Sequence, residues 1–131
     1  MKILALDFGA ARTGVAVSDE TGTIARPLAV VERATSKPGL EQIASIVRAE
    51  NAARVIVGLP LTLRGERGSQ AQETEAFVEM LRAALDVPVE TYDERFTTAI
   101  ATHASGAAPE DARAAAHLLE SYLGWKSARR T

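Results

Sequence analysis

The chain opens on a run of apolar positions with little polar interruption, KILALDF at residues 2–8. Such a run predicts a strand covered on both faces of a sheet. RTGVAVS at 12–18 alternates enough to be a second strand, joined to the first through the tight turn at Gly9-Ala10-Ala11. A third strand is predicted from Thr23 to Val31, after the turn at Glu20-Thr21-Gly22. Three consecutive strands with short turns make an antiparallel meander. The period then changes. Pro38 is placed as the first residue of a helix, and Leu40, Ile43, Ala44 and Val47 fall at i, i+3, i+4 and i+7 on one helical face. RVIV at 54–57 is a short buried strand stopped by Gly58 and Pro60, followed by the polar, glycine-bearing loop LTLRGERG at 61–68. Ser69 with Gln72 has the spacing of a capping box, opening a helix that turns Phe77, Val78, Leu81 and Leu85 inward. Val87 to Tyr92 is the fifth strand and runs into DERFTT. A short helix to about His103, a turn at Gly106 and a last helix from Pro109 through about Tyr122 complete the pattern.

The order βββαβαβα(α) predicts an α/β fold: a mixed sheet with helices on its faces. Ligands of such sheets sit beyond the carboxyl ends of strands. Two acidic positions fall there, Asp7 after the first strand and the Asp93–Glu94 pair after the fifth. A carboxylate at the end of a buried strand is costly unless it is paired or binds a metal. On a helical wheel Asp111 shares the stripe of Ala115, Leu118, Leu119 and Tyr122, while Arg113, His117 and Glu120 fall on the opposite, solvent side. Asp7, Asp111 and one acid of the pair are therefore the parts needed to hold a divalent metal, with Mg²⁺ the hard, oxygen-preferring choice. Simpler readings stand beside this one. Asp7 can be a turn residue, Asp111 an acid that complements the start of its helix, and DER an exposed loop with an internal ion pair. Among the cations, Arg12 follows the first turn and can contact phosphate together with Thr13, and Arg64 and Arg67 sit on the glycine-flanked loop. Thr97 and Thr98 can cap the next helix, with or without an anion at its N–H groups. His103 and His117 take no catalytic role.

Composition narrows the classes. The chain has 131 residues, 47% hydrophobic and 24% charged, enough for one globular domain with a real core. It has no cysteine, hence no disulfide framework and no thiolate metal site. No apolar run approaches a membrane span, and the first strand begins without a signal peptide, so a cytoplasmic address is expected. Net charge is −2, so any grip on nucleic acid must come from a local patch.

Four stretches in order, LALDFGAARTGVAVSD, VGLPLTLRGERG, DERFTT and DARAAAHLLESYL, resemble the YqgF family, also called RuvX, over about residues 2–124. The family is similar to Holliday-junction resolvases and has the ribonuclease H-like fold. The resemblance implies a mixed five-stranded sheet in the order 3-2-1-4-5, a nuclease domain over 1–124 and a short basic tail over 125–131. It implies a nuclease maturing the 5′ end of the small-subunit (pre-16S) ribosomal RNA precursor with Mg²⁺ or Mn²⁺, on RNA that a ribosomal particle can present. By position, the first-strand acid is Asp7, the final-helix acid is Asp111, and the middle acid is Asp93 or Glu94. Gly9, Gly14, Gly58, Gly65, Arg12, Arg95, Thr97 and Thr98 match as well. The chain departs from relatives in the segment before the last helix. HASGAAPED replaces a longer stretch rich in Lys and Arg, which leaves Arg64, Arg67, Arg95 and the tail to hold the substrate backbone. Glu120, in place of a Gln, is expected to be harmless.

Three other readings fit parts of this pattern. A Holliday-junction resolvase acting on branched DNA would need a dimer to place two sites. The Asp-Phe-Gly turn also resembles the phosphate loop of actin-like ATPases and sugar kinases, which need two such lobes. A nucleic-acid-binding module with weak or no catalysis would keep the fold alone.

Overall fold

The computed structural model describes residues 1–61, 64–96 and 108–128. The strands are β1 (Ile3–Asp7), β2 (Arg12–Ser18), β3 (Ala25–Glu32), β4 (Arg54–Leu59) and β5 (Val89–Asp93), and the helices are α1 (Lys37–Glu50), α2 (Ser69–Ala84) and α3 (Glu110–Ala128). The strands form one sheet in the order β3-β2-β1-β4-β5. β1 runs antiparallel to β2 and parallel to β4, and β4 runs parallel to β5. The expected mixed sheet is therefore the one observed. β3 is an edge strand, which is why Pro27 is tolerated inside it opposite Ala16.

β1 reads as continuously apolar because both of its faces are covered. Leu4 and Leu6 join Val15, Val17, Val55, Val57, Ile43 and Phe77 in a core under α1 and α2. Ile3 and Ala5 join Ala16, Ile56, Ala115, Leu119 and Tyr122 under α3. The small residues Ala5, Ala16, Ala115 and Ala116, all fully buried, let α3 lie close to the sheet.

The helix ends correct several expectations. α1 is capped by Ser36, whose Oγ accepts the Gly39 N–H at 3.1 Å, with the proline just inside the start. The Ser69–Gln72 capping box does not form. Gly68 occupies the cap position without a side-chain bond, and its carbonyl accepts the Gln72 N–H at 3.1 Å. α3 runs to Ala128, past the expected end near Tyr122 and into the stretch read as a tail. Trp125 is held there by ring contacts with Tyr92 and Tyr122 at 6.0 and 5.9 Å. Arg113, His117 and Glu120 are half-buried rather than on a solvent face. His117 Nδ1 lies 3.9 Å from Glu120. The wheel placed them by apolar contrast alone and could not show what else packs on that flank. The short helix expected to reach His103 lies outside the described residues.

Candidate active site

The carboxyl ends of β1, β4 and β5 point the same way because the three strands are parallel. Asp7 ends β1 and Asp93 ends β5, with β4 between them. The gap is two strand spacings, about 10 Å. Glu94, the first residue of the 3₁₀ turn after β5, closes it. Its side chain crosses β4 at Gly58, where a Cβ would lie 2.7 Å from Glu94 Oε1 and 2.8 Å from its Cγ. The Asp7 and Glu94 carboxyls lie close enough to share a hydrogen bond when one of them is protonated. Two carboxyls placed so close favour keeping a proton on the pair. Burial, the Asp7 hydrogen bond and the Asp7 charge push Glu94 up to about 7. Burial, and secondarily the charge of Asp111, raise Asp7, against the lowering effect of its bond to Glu94.

Asp111 comes to this end of the sheet by a close contact between helix and strand. Asp7 pairs with Gly14 across β1 and β2. A Cβ on Gly14 would fall 1.8 Å from the Asp111 carbonyl oxygen, so the first turn of α3 rests directly on the bare strand. The Asp111 side chain is not buried in the apolar stripe, as the wheel suggested. It is 37% exposed and paired with Arg12 Nε at 3.2 Å. The first turn projects past the edge of the core, where a wheel computed from angles alone has no neighbour to report.

Asp93 is turned away from this group. The guanidinium of Arg95 donates to it from Nε at 3.1 and 2.9 Å and from Nη2 at 2.6 Å, and the Arg95 N–H donates at 2.9 Å. These bonds hold the Asp93 carboxyl below its ordinary range. The other face of Arg95 backs the loop before α2: a Cβ on Gly65, whose φ is +82°, would lie 3.2 Å from Arg95 Nη1. Arg67 is likewise engaged, with Glu75 of α2. Arg64 is exposed. Thr97 and Thr98 lie outside the described residues. The structure therefore brings Asp7 and Glu94 into contact with Asp111 within electrostatic reach, and it pairs Arg12, Arg67 and Arg95 with acids.

A cleft of about 180 Å³ opens on the carboxyl pair, lined by Asp7, Phe8, Gly9, Gly58, Glu73 and Glu94 among others. Glu73 was not singled out from the sequence. Its only signal was its place in the first turns of the helix that follows β4, and one more acid on an exposed helix carries no mark of its own. Among the described residues, no three His, Cys, Asp or Glu side chains already converge as a metal cage. No described helix is long and apolar enough to cross a membrane.

Comparison with known proteins places this geometry in a lineage. The chain matches the RuvX family, described as Holliday junction resolvase, over residues 1–124. It is 46% identical over 99 residues to a protein of Chloroflexus aurantiacus named "Putative pre-16S rRNA nuclease". That match covers 76% of this chain and 65% of the relative, so the chain spans just under two thirds of that protein's length. A Nocardia farcinica protein of the same name is 43% identical over 141 aligned positions, covering 95% of this chain and 78% of the relative. The fold is that of the T. thermophilus RuvC solved in complex with Holliday junction substrate, with a TM-score of 0.68 at 16% identity over 98% of this chain and 96% of the other. The fowlpox virus Holliday junction resolvase is similar at a TM-score of 0.55 and 15% identity, over 95% and 99% of the two chains. With its sheet order, its four motifs and a match over nearly its whole length, the chain belongs to the RuvX family.

Proposed function

We propose that this chain is a metal-dependent nuclease that hydrolyses phosphodiester bonds and matures the 5′ end of the pre-16S ribosomal RNA precursor. The observation that carries the reading is the half-buried Asp7–Glu94 carboxyl pair, brought together across Gly58 of β4 from the ends of β1 and β5, with Asp111 facing it from α3. The names of its relatives supply the substrate. On this reading residues 1–124 carry the activity, RNA within a ribosomal particle is the partner, and the cytoplasm is the place of action.

The residues fit Mg²⁺ or Mn²⁺. The donors are all carboxylate oxygens, the ligands hard cations prefer. Two acids that retain a proton because their charges are costly together are acids that a divalent cation neutralises on proton release. Asp7 and Glu94 would hold the ion, with Asp111 as the third carboxylate. When bound, the ion supplies Lewis acidity toward the phosphate and eases ionisation of the attacking water. Arg12 remains 65% exposed while paired to Asp111 through Nε. Its outer N–H groups are available to a substrate phosphate, and it draws that phosphate to the acid end of the sheet. Arg95 acts behind the site, holding Asp93 and backing the Gly65 loop, from which Arg64 projects toward the backbone. Thr97 and Thr98 keep their proposed place at the phosphate on the sequence alone.

The test is cleavage of labelled pre-16S RNA and, in parallel, of a synthetic four-way DNA junction, each with Mg²⁺, Mn²⁺ or EDTA. RNA trimming that requires metal is expected. Asp7→Asn and Glu94→Gln should each lower it by more than about 100-fold, beyond the cost of losing an outer-shell partner. Asp93→Asn should retain metal-dependent cleavage. Junction cleavage with the RNA untouched would replace this reading with the resolvase one. No cleavage of either, with tight binding of both, would favour the binding module.

A further inference from the structure

Among the described residues, many of the cations are already neutralised. Lys2, Arg12, Arg26, Arg54, Arg67, Arg82 and Arg95 each lie in an ion pair. Among the described residues, the exposed cations with no side-chain hydrogen bond or ion pair are Arg33, Lys37, Arg48 and Arg64. Their placement is uneven. Arg48 lies in the last turn of α1, at the far end of the molecule. The other three lie at the end that carries Asp7 and Glu94. Arg64 follows β4 on one side of the acids. Arg33 and Lys37 lie on the other side, in the turn from β3 into α1.

That turn is tied to the site by backbone. Glu32, the last residue of β3, pairs with Arg12. The Arg33 N–H donates to the carbonyl of Ala11 at 3.0 Å, so Arg33 is one hydrogen bond from the residue preceding Arg12. The Arg33 carbonyl accepts from the Ser36 N–H at 2.9 Å and from its hydroxyl at 2.6 Å. A Cβ on Gly39 would lie 2.3 Å from that same carbonyl, so α1 packs onto the turn. Arg33 has a φ of +49°, a left-handed conformation in which glycine would be at ease and an arginine is strained. A charged, unpaired side chain stands where the fold alone would favour none. Across the sheet, the position level with Asp7 on β3 is Val30, through Gly14 of β2, so Arg33 stands two strands over from Asp7 and three residues further out beyond the same end of the sheet.

We infer that Arg33 and Lys37 form a second phosphate-binding wing, which grips the phosphodiester backbone of the nucleic acid on the β3 side while Arg64 holds it on the β4 side. The track runs from Arg33 and Lys37 past Arg12 to the acid pair and on to Arg64. It gives the chain the local basic patch that its net charge of −2 withholds from the molecule as a whole. The contact is to the backbone, so it is indifferent to sequence and shared by RNA and DNA. This inference deepens the nuclease reading in taking a nucleic acid as the substrate of that site.

The test is the salt dependence of binding, measured in an Asp7→Asn background so that probes survive. The probes are a labelled single-stranded RNA from the precursor's 5′ region and a four-way DNA junction. The double variant Arg33→Gly/Lys37→Ala should bind each probe it shares with the parent more weakly. The slope of log affinity against log salt should shrink by about 1.4–1.8, two phosphate contacts at roughly 0.7–0.9 each. Arg48→Ala, an exposed and unpaired cation at the far end of the helix that Lys37 begins, should leave the slope unchanged. Arg33→Gly alone should raise or preserve the Tm while weakening binding, which a merely structural arginine would not do. An unchanged slope in the double variant, or an equal loss with Arg48→Ala, overturns the inference. Metal-dependent cleavage by the wild type is measured alongside. Its absence with a reduced slope would sink the nuclease reading and keep the wing, and cleavage with an unchanged slope would do the reverse. No binding by the Asp7→Asn parent to either probe would overturn the wing outright.

Discussion

Glu94 reaches Asp7 across a strand position that has no side chain, and the consequence is a pair of acids sharing a proton. The pair makes a signed prediction about pH. Glu94 is raised from its ordinary 4.5 to about 7 in the fold, and Asp7 is raised with it. Below about pH 4.5 the folded and unfolded chains both hold the proton. Between 4.5 and 7 only the folded chain does, so stability of the metal-free protein falls as pH rises through this window, and the loss is complete above 7. The Tm in EDTA should decline from pH 5 to pH 8, and Glu94→Gln should flatten the decline. A Tm that rises over that range would show that the two carboxyls do not share a proton. Asp19 and Asp93 act in the opposite sense and in another window. The Ile24 and Thr23 N–H groups and the Thr21 hydroxyl depress Asp19, and Arg95 depresses Asp93. Their contributions are lost only as pH falls below the ordinary carboxylate range.

At the scale of elements, two glycines decide where the acids sit, and they do so in different ways. Gly14 is where α3 rests on β2, with the Asp111 carbonyl where a Cβ would be. That neighbour is backbone at the start of a 19-residue helix, so it cannot yield without moving the helix. Gly14→Ala is expected to destabilise the protein by roughly 1–3 kcal/mol or more through overpacking. Gly58 faces the flexible side chain of Glu94 instead. Gly58→Ala should cost little stability, because Glu94 can swing aside, yet it should lose cleavage as Glu94→Gln does. Thermal melts and cleavage assays on the two variants separate these effects. Equal destabilisation by both would contradict the distinction between backbone and side-chain neighbours. The helix starts follow the same local logic. Ser36 caps α1 because its turn brings Oγ to the Gly39 N–H, whereas Ser69 lies one residue inside α2 and leaves the cap to Gly68.

At the scale of the whole molecule, the sheet is covered on both faces by apolar helices, so the fold has no need of a metal to form. EDTA should leave the protein folded, and Mg²⁺ should raise the Tm only by mass action, about 2.7 kcal/mol at 100 times its dissociation constant. Asp7→Asn should abolish that shift. Unfolding on chelation would mean that the ion is structural. What was legible in the chain itself was whatever is local or periodic. The continuous apolar run of β1, the i, i+3, i+4 faces of α1 and α2, and acids ending apolar strands all follow from neighbours in sequence, and four motifs in order carried the sheet order and the family. The sequence alone left open which acid of Asp93-Glu94 faces Asp7, since both end the same strand. It also left open that Arg12, Arg67 and Arg95 are taken up by acids, and that Arg33 and Lys37 stand free beside the site. Those outcomes depend on which strands lie side by side and on what a side chain meets when it crosses them. Gly58 lies 36 residues before Glu94, and Gly14 lies 97 before Asp111. Contacts between positions so far apart leave no period in the chain, and only the packed sheet and helices bring them together.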